Sequence, residues 1–95
     1  MDVAKLAREA NELLERLADR FPPDQLRICR TLAAGGEWGE LVDNMCAVLV
    51  QDDVPVTIAE RDALTALLNM YPIPLEDYDY ISNRDQTLAA LQVQE

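Results

Sequence analysis

Apolar residues recur at three- and four-residue steps along most of this chain, and no segment sustains the apolar-polar alternation of a half-buried strand. In the first segment Val3, Leu6, Ala7, Ala10, Leu13, Leu14 and Leu17 share one face, while Lys5, Arg8, Glu12, Glu15, Arg16 and Asp19 fall opposite. This spacing predicts an amphipathic helix of about five turns. "FPPD", residues 21 to 24, stops it, because each proline lacks an amide donor and disfavours helical geometry in the residue before it. A short second helix is expected from Asp24, with Leu26, Cys29, Leu32 and Ala33 inward. It ends at Gly35 and Gly36, where a left-handed cap costs least.

Within "EWGELVDNMCAVLVQDD", Trp38, Leu41, Val42, Met45, Val48 and Leu49 form an apolar stripe, and Glu40, Asp43, Asn44, Ala47 and Gln51 occupy the other side. "VPVT" carries the chain over. Thr57 and Glu60 then match a capping box that starts a fourth helix, with Ala63, Leu64, Leu67, Leu68 and Tyr71 inward. Pro72 and Pro74 end that helix, "LEDYDYISN" follows as a turn or short helix, and "NRDQTLAALQVQ" reads as a weakly patterned last helix through Leu88, Leu91 and Val93. The pattern predicts an all-α fold: a single domain, residues 1–95, built as a bundle of four to five short amphipathic helices.

Composition removes whole classes of function. Ninety-five residues suffice for one modest core but not for a catalytic and a regulatory domain together. No apolar run approaches the roughly 18 to 20 residues of a membrane span. The N-terminus mixes charges throughout, unlike a secretory signal, so a cytoplasmic protein is expected. Histidine is absent, which excludes Ser-His and Cys-His nucleophile pairs and histidine-ligated zinc. The three glycines form no phosphate-cradling loop. "QDDVPVTIAERD" lacks the alternating acids of a calcium loop, and a glycosidase's paired carboxylates need a deep cleft that five short helices leave little room for. Cys29 and Cys46 lie in apolar helical patterns without ligand spacing and read as buried thiols. The expectation is a protein without enzymatic activity, cofactor or metal.

Charge points instead to a partner. Eight basic and eighteen acidic residues give a net charge of −10. Residues 1 to 30 are balanced, so the whole excess falls in residues 31 to 95, where only Arg61 and Arg84 oppose the acids. Such a surface repels nucleic acid and anionic membrane and favours a basic partner. Tight binding also needs buried anchors, for which tyrosine suits, because its ring packs while its hydroxyl bonds. "LEDYDYISN" supplies both, with Glu76, Asp77 and Asp79 around Tyr78 and Tyr80. The candidate partner-binding residues are therefore Glu40, Asp43, Asp52, Asp53, Glu76, Asp77, Tyr78, Asp79 and Tyr80. Trp38 is expected in the core. Glu37 also reads as first-turn support of the helix dipole. Tyr78 and Tyr80 are two apart, so an extended run points both to one side and a helical turn splays them.

"AAGGEWGELVDNMCAVLVQDDVPVTIAERDALTALLNMYPI", residues 33 to 73, resembles the MafI-type immunity proteins of bacterial polymorphic toxin systems. A Gly-Glu-aromatic opening leads an amphipathic helix, an acidic turn and a short Pro-aliphatic-Thr step follow, and a capped helix comes next. This chain departs from the family's Leu-Tyr-Glu-Tyr-like run, having Leu49, Val50, Gln51 and Asp52 there. The resemblance implies a small helical protein that binds and neutralises a cognate toxin domain, often a nuclease. More loosely, Tyr78 and Tyr80 among their acids are similar in composition to the acid-and-tyrosine helix of colicin-nuclease immunity proteins. Two other classes share the same surface: an acidic adaptor or nucleic-acid mimic for a basic regulatory protein, and a self-associating bundle whose acids only solubilise it.

Overall fold

The computed structural model describes residues 1–73 and 75–94. Its first helix, α1, runs Val3–Leu17 and is capped by Asp2, whose carboxylate accepts the Lys5 amide at 3.0 Å. Leu6, Ala10, Leu13, Leu14 and Leu17 are buried as the pattern predicts, but Val3 stays exposed, because the first turn projects past the core. A 3-10 turn, Ala18–Arg20, tightens the end, and Phe21 closes it in extended geometry. Helix α2, Pro23–Ala34, starts one residue earlier than expected from Asp24. Pro23 fits there because the first helical position needs no amide donor. Gly36, at φ 71, takes the left-handed conformation after its end.

Helix α3, Trp38–Gln51, is the centre of the molecule, with Leu41, Val42, Met45, Cys46, Val48 and Leu49 buried. Helix α1 packs on one side of it and α2 on another. Asp53 at φ 50 ends it, and the Val54 amide reaches back to the Leu49 carbonyl at 3.1 Å, turning buried Val54 into the core. Helix α4, Ile58–Leu68, opens on the expected capping box: the Thr57 hydroxyl accepts the Glu60 amide, and the Glu60 carboxylate accepts the Thr57 amide. It packs against α1. The helix ends at Leu68, so half-buried Tyr71 falls in the turn beyond it; Pro74 lies outside the described residues.

Beyond α4 the short helix expected within "LEDYDYISN" is present, and the last helix departs from the pattern. Residues 79–82 form a one-turn helix, α5, Asp79–Ser82, laid on α3, and α6 covers only Arg84–Ala89. Val93 is not helical. Pro55–Val56, β1, and Gln92–Val93, β2, pair in parallel, Pro55 opposite Gln92 and Val56 opposite Val93. The Gln94 amide adds a bond to the Val56 carbonyl at 2.8 Å. Two-residue strands are too short to leave a periodic signature, and their pairing satisfies backbone groups where the C-terminal segment crosses the connection between α3 and α4. The molecule is an all-α bundle with this small clasp. Among the described residues no helix is long and apolar enough to cross a membrane.

Candidate partner-binding surface

Two of the expected acidic segments meet in space. The stretch 75–82 folds into a closed loop because the Ser82 hydroxyl serves both backbone groups of Leu75, accepting its amide at 2.8 Å and donating to its carbonyl at 2.6 Å. That loop is pinned to α3 by Asp43. Its Oδ1 accepts the amides of Tyr80 and Ile81, at 2.9 and 3.1 Å, and so caps α5 from a distant helix. Ile81 is then fully buried. Asp43 therefore does not stand free on the solvent side of α3 as the helical pattern predicts. It is half-buried, and burial raises its pKa against the opposing effect of the two amides, with Asp79 adding a further upward push.

Tyr78 and Tyr80 both face α3 and are both half-buried. The Tyr78 ring lies over Gly39 so closely that a Cβ there would fall 2.9 Å from its Cε2 and Cζ. A glycine at this helical position admits the ring. Tyr80 accepts a hydrogen bond from Gln51 Nε2 at its hydroxyl, 2.8 Å, and its carbonyl accepts from the Thr87 hydroxyl at 2.9 Å. Tyr78 takes the N-cap position of α5 and Tyr80 lies inside that helix, so neither the purely extended nor the purely helical expectation describes the pair. Trp38 packs partly buried against the core.

Around Tyr78 the charges are of one sign. Burial raises its hydroxyl pKa, and Glu40, Asp77, Glu37 and Asp43 each raise it further. Among the described residues none of these four acids enters a salt bridge. The ion pairs lie elsewhere: Arg30 with Glu15, Arg27 with Asp24, Arg61 with Asp62, and Arg20 with Asp19 and Glu60.

Glu40, Asp43, Asp77 and Tyr78 line one groove of about 490 Å³, together with Ile28 and Leu32 of α2 and Asn44 and Ala47 of α3. Asp79 and Tyr80 line a separate cleft of about 270 Å³ with Val50 and residues of α6 and its flanks. Asp52 and Asp53 sit at the far end of α3, about 20 Å along its axis from Glu40, and are exposed. Glu76 is exposed beside Asp77. The structure thus brings four of the nine candidates around one groove, and places two in the adjoining cleft. Sequence reasoning missed the groove's apolar wall. Its signal was Ile28, a large apolar residue out of phase with the inward face of α2 and 43% exposed.

No group of three or more histidine, cysteine or acidic side chains is arranged to hold a metal ion among the described residues. Both thiols are free and buried, and burial raises their pKa values; Asn44 Nδ2 donates to Cys29 Sγ at 3.3 Å. Comparison with protein-family models, curated proteins and solved structures finds no match. The likeness to MafI-type immunity proteins rests on the residues of this chain alone.

Proposed function

We propose that this chain is an immunity protein, which binds a cognate bacterial toxin domain and neutralises it without chemistry of its own. The observation that carries the reading is the single-sign surface on α3 and the 75–82 loop, whose acids enter no ion pair among the described residues, while the ion pairs found there lie elsewhere. Unpaired surface acids steer a basic partner and set which partner is accepted. A nuclease toxin fits, because a protein that grips nucleic-acid phosphates must present a basic surface. Such a toxin acts on cellular nucleic acid, so its neutralisation belongs in the cytoplasm. The resemblance of residues 33 to 73 to MafI-type proteins points the same way.

Co-expression with the C-terminal domain of any large secreted protein encoded beside this chain tests the reading. A complex that survives moderate salt, and a domain that kills only when this protein is absent, support it. Absence of both complex and toxicity overturns it, and recovery of a basic host regulatory protein instead favours an adaptor.

A further inference from the structure

Helix α2 is the least buried of the long helices, with Cys29 its sole buried residue. Ile28 is exposed and Leu32 half-buried, although both are apolar. With Ala47 and the ring of Tyr78 they form an apolar wall, and Glu40, Asp43 and Asp77 line the same groove. Asp43 uses Oδ1 for both of its amides, which leaves Oδ2 as an acceptor. The cations nearest in sequence to Ile28, Arg27 and Arg30, form exposed ion pairs with Asp24 and Glu15, and Arg27 lines a separate hollow on the other side of Ile28 and Leu32. Among the described residues no basic side chain lines the groove.

We propose that this groove is the anchor pocket of the binding surface and takes an arginine of the partner protein, carried on a segment with apolar neighbours. The proposal rests on reading the acidic face as a protein-binding surface and names what enters it. Arginine combines the two chemistries the groove presents. Its methylene stem covers apolar surface, and its planar head makes paired hydrogen bonds to carboxylates and stacks on a phenol ring. A wholly apolar occupant would bury Glu40, Asp43 and Asp77 without compensation, which is costly. A purely polar cation would leave Ile28, Leu32 and Ala47 in water. The volume, about 490 Å³, leaves space for a neighbouring apolar side chain on the Ile28 wall.

Methyl and amide NMR spectra recorded during titration with N-acetyl-Leu-Arg-Leu-amide, and with its norleucine counterpart, test this. The arginine peptide is expected to give saturable shifts at Ile28, Leu32, Ala47 and Tyr78, with the norleucine peptide about tenfold weaker. The Glu40→Gln/Asp77→Asn variant, altered only at exposed positions, is expected to bind the arginine peptide about tenfold less tightly while keeping its spectral dispersion. Three results overturn the proposal: no saturable shift, equal response to norleucine, or shifts spread evenly over Asp52, Asp53 and Asp85. Self-association that shields Ile28 without peptide also overturns it, by making a second copy the occupant. The same variant measured against the toxin domain separates the two readings. A complex unaffected by it refutes the groove and leaves immunity standing, whereas a saturable peptide site with no toxin complex refutes immunity and leaves the groove.

Discussion

Arg20 grips Glu60 through both carboxylate oxygens, across forty residues of sequence, with Nη1 at 2.7 Å from Oε1 and Nη2 on Oε2. The same guanidinium donates to the carbonyls of Pro55 and Arg16, so it joins the end of α1 to β1 and the start of α4. Glu60 is 3% exposed and also caps its own helix. Arg20→Ala leaves that carboxylate with the Thr57 amide and, as its one remaining cation among the described residues, Arg16 at 3.8 Å. A loss of about 3 kcal/mol in urea unfolding is expected.

The pair also sets an acid limit. The hydrogen bonds from Arg20, helped by the Thr57 amide and the charges of Arg20 and Arg16, lower the Glu60 pKa from 4.5 to about 2, against the upward push of burial. A carboxylate depressed on folding stabilises the fold above its unfolded pKa, and that contribution is lost as pH falls from 4.5 towards 2. Asp43 acts in the opposite sense, because its pKa is raised: its contribution is present below the unfolded value and is lost as pH rises through the folded one. Urea midpoints measured down the acid range are expected to fall, and to fall less steeply in Glu60→Gln.

Asp43 holds the 75–82 loop by two amide bonds. Asp43→Ala is expected to cost about 1 to 2 kcal/mol, and Asp43→Asn less, since the amide oxygen still accepts. Hydrogen exchange localises the effect: protection at Tyr80 and Ile81 drops while the α1 and α3 amides keep theirs.

Gly39 and Tyr78 are coupled. In a helix interior alanine exceeds glycine by about 1 kcal/mol, but here the added Cβ meets the Tyr78 ring. Gly39 is the second residue of α3, so Gly39→Ala in a Tyr78→Ala background is expected to stabilise by less than that interior value, and in the native background to gain less still and to shift the resonances of 75–82. A double-mutant cycle reads the difference.

Asp53 occupies a left-handed position just past a helix C-terminus, where both its side chain and its charge are unfavourable. Asp53→Gly is expected to raise stability by about 1 kcal/mol, read as a higher urea midpoint with unchanged slope.

The four long helices were legible because each is an amphipathic segment bounded by local chemistry. Prolines end α1, the capping box opens α4, and leucines at helical spacing mark the inward faces. These signals act within a few residues, so the chain alone displays them. The candidate surface was half legible. Acid and tyrosine content marked 75–82 and α3, but a helical wheel put Asp43 in solvent, since it cannot show that a loop from residues 75–82 folds onto that side.

Sequence by itself determined the four long helices, the buried thiols and the one-sided charge, because periodicity, caps and composition are local properties. Tertiary structure alone decided that Asp43 caps α5, that Gly39 receives Tyr78, that Arg20 neutralises Glu60, and that β1 finds β2. Each joins groups dozens of residues apart in the chain, and their meeting depends on how whole helices pack around α3, which no short window of sequence contains.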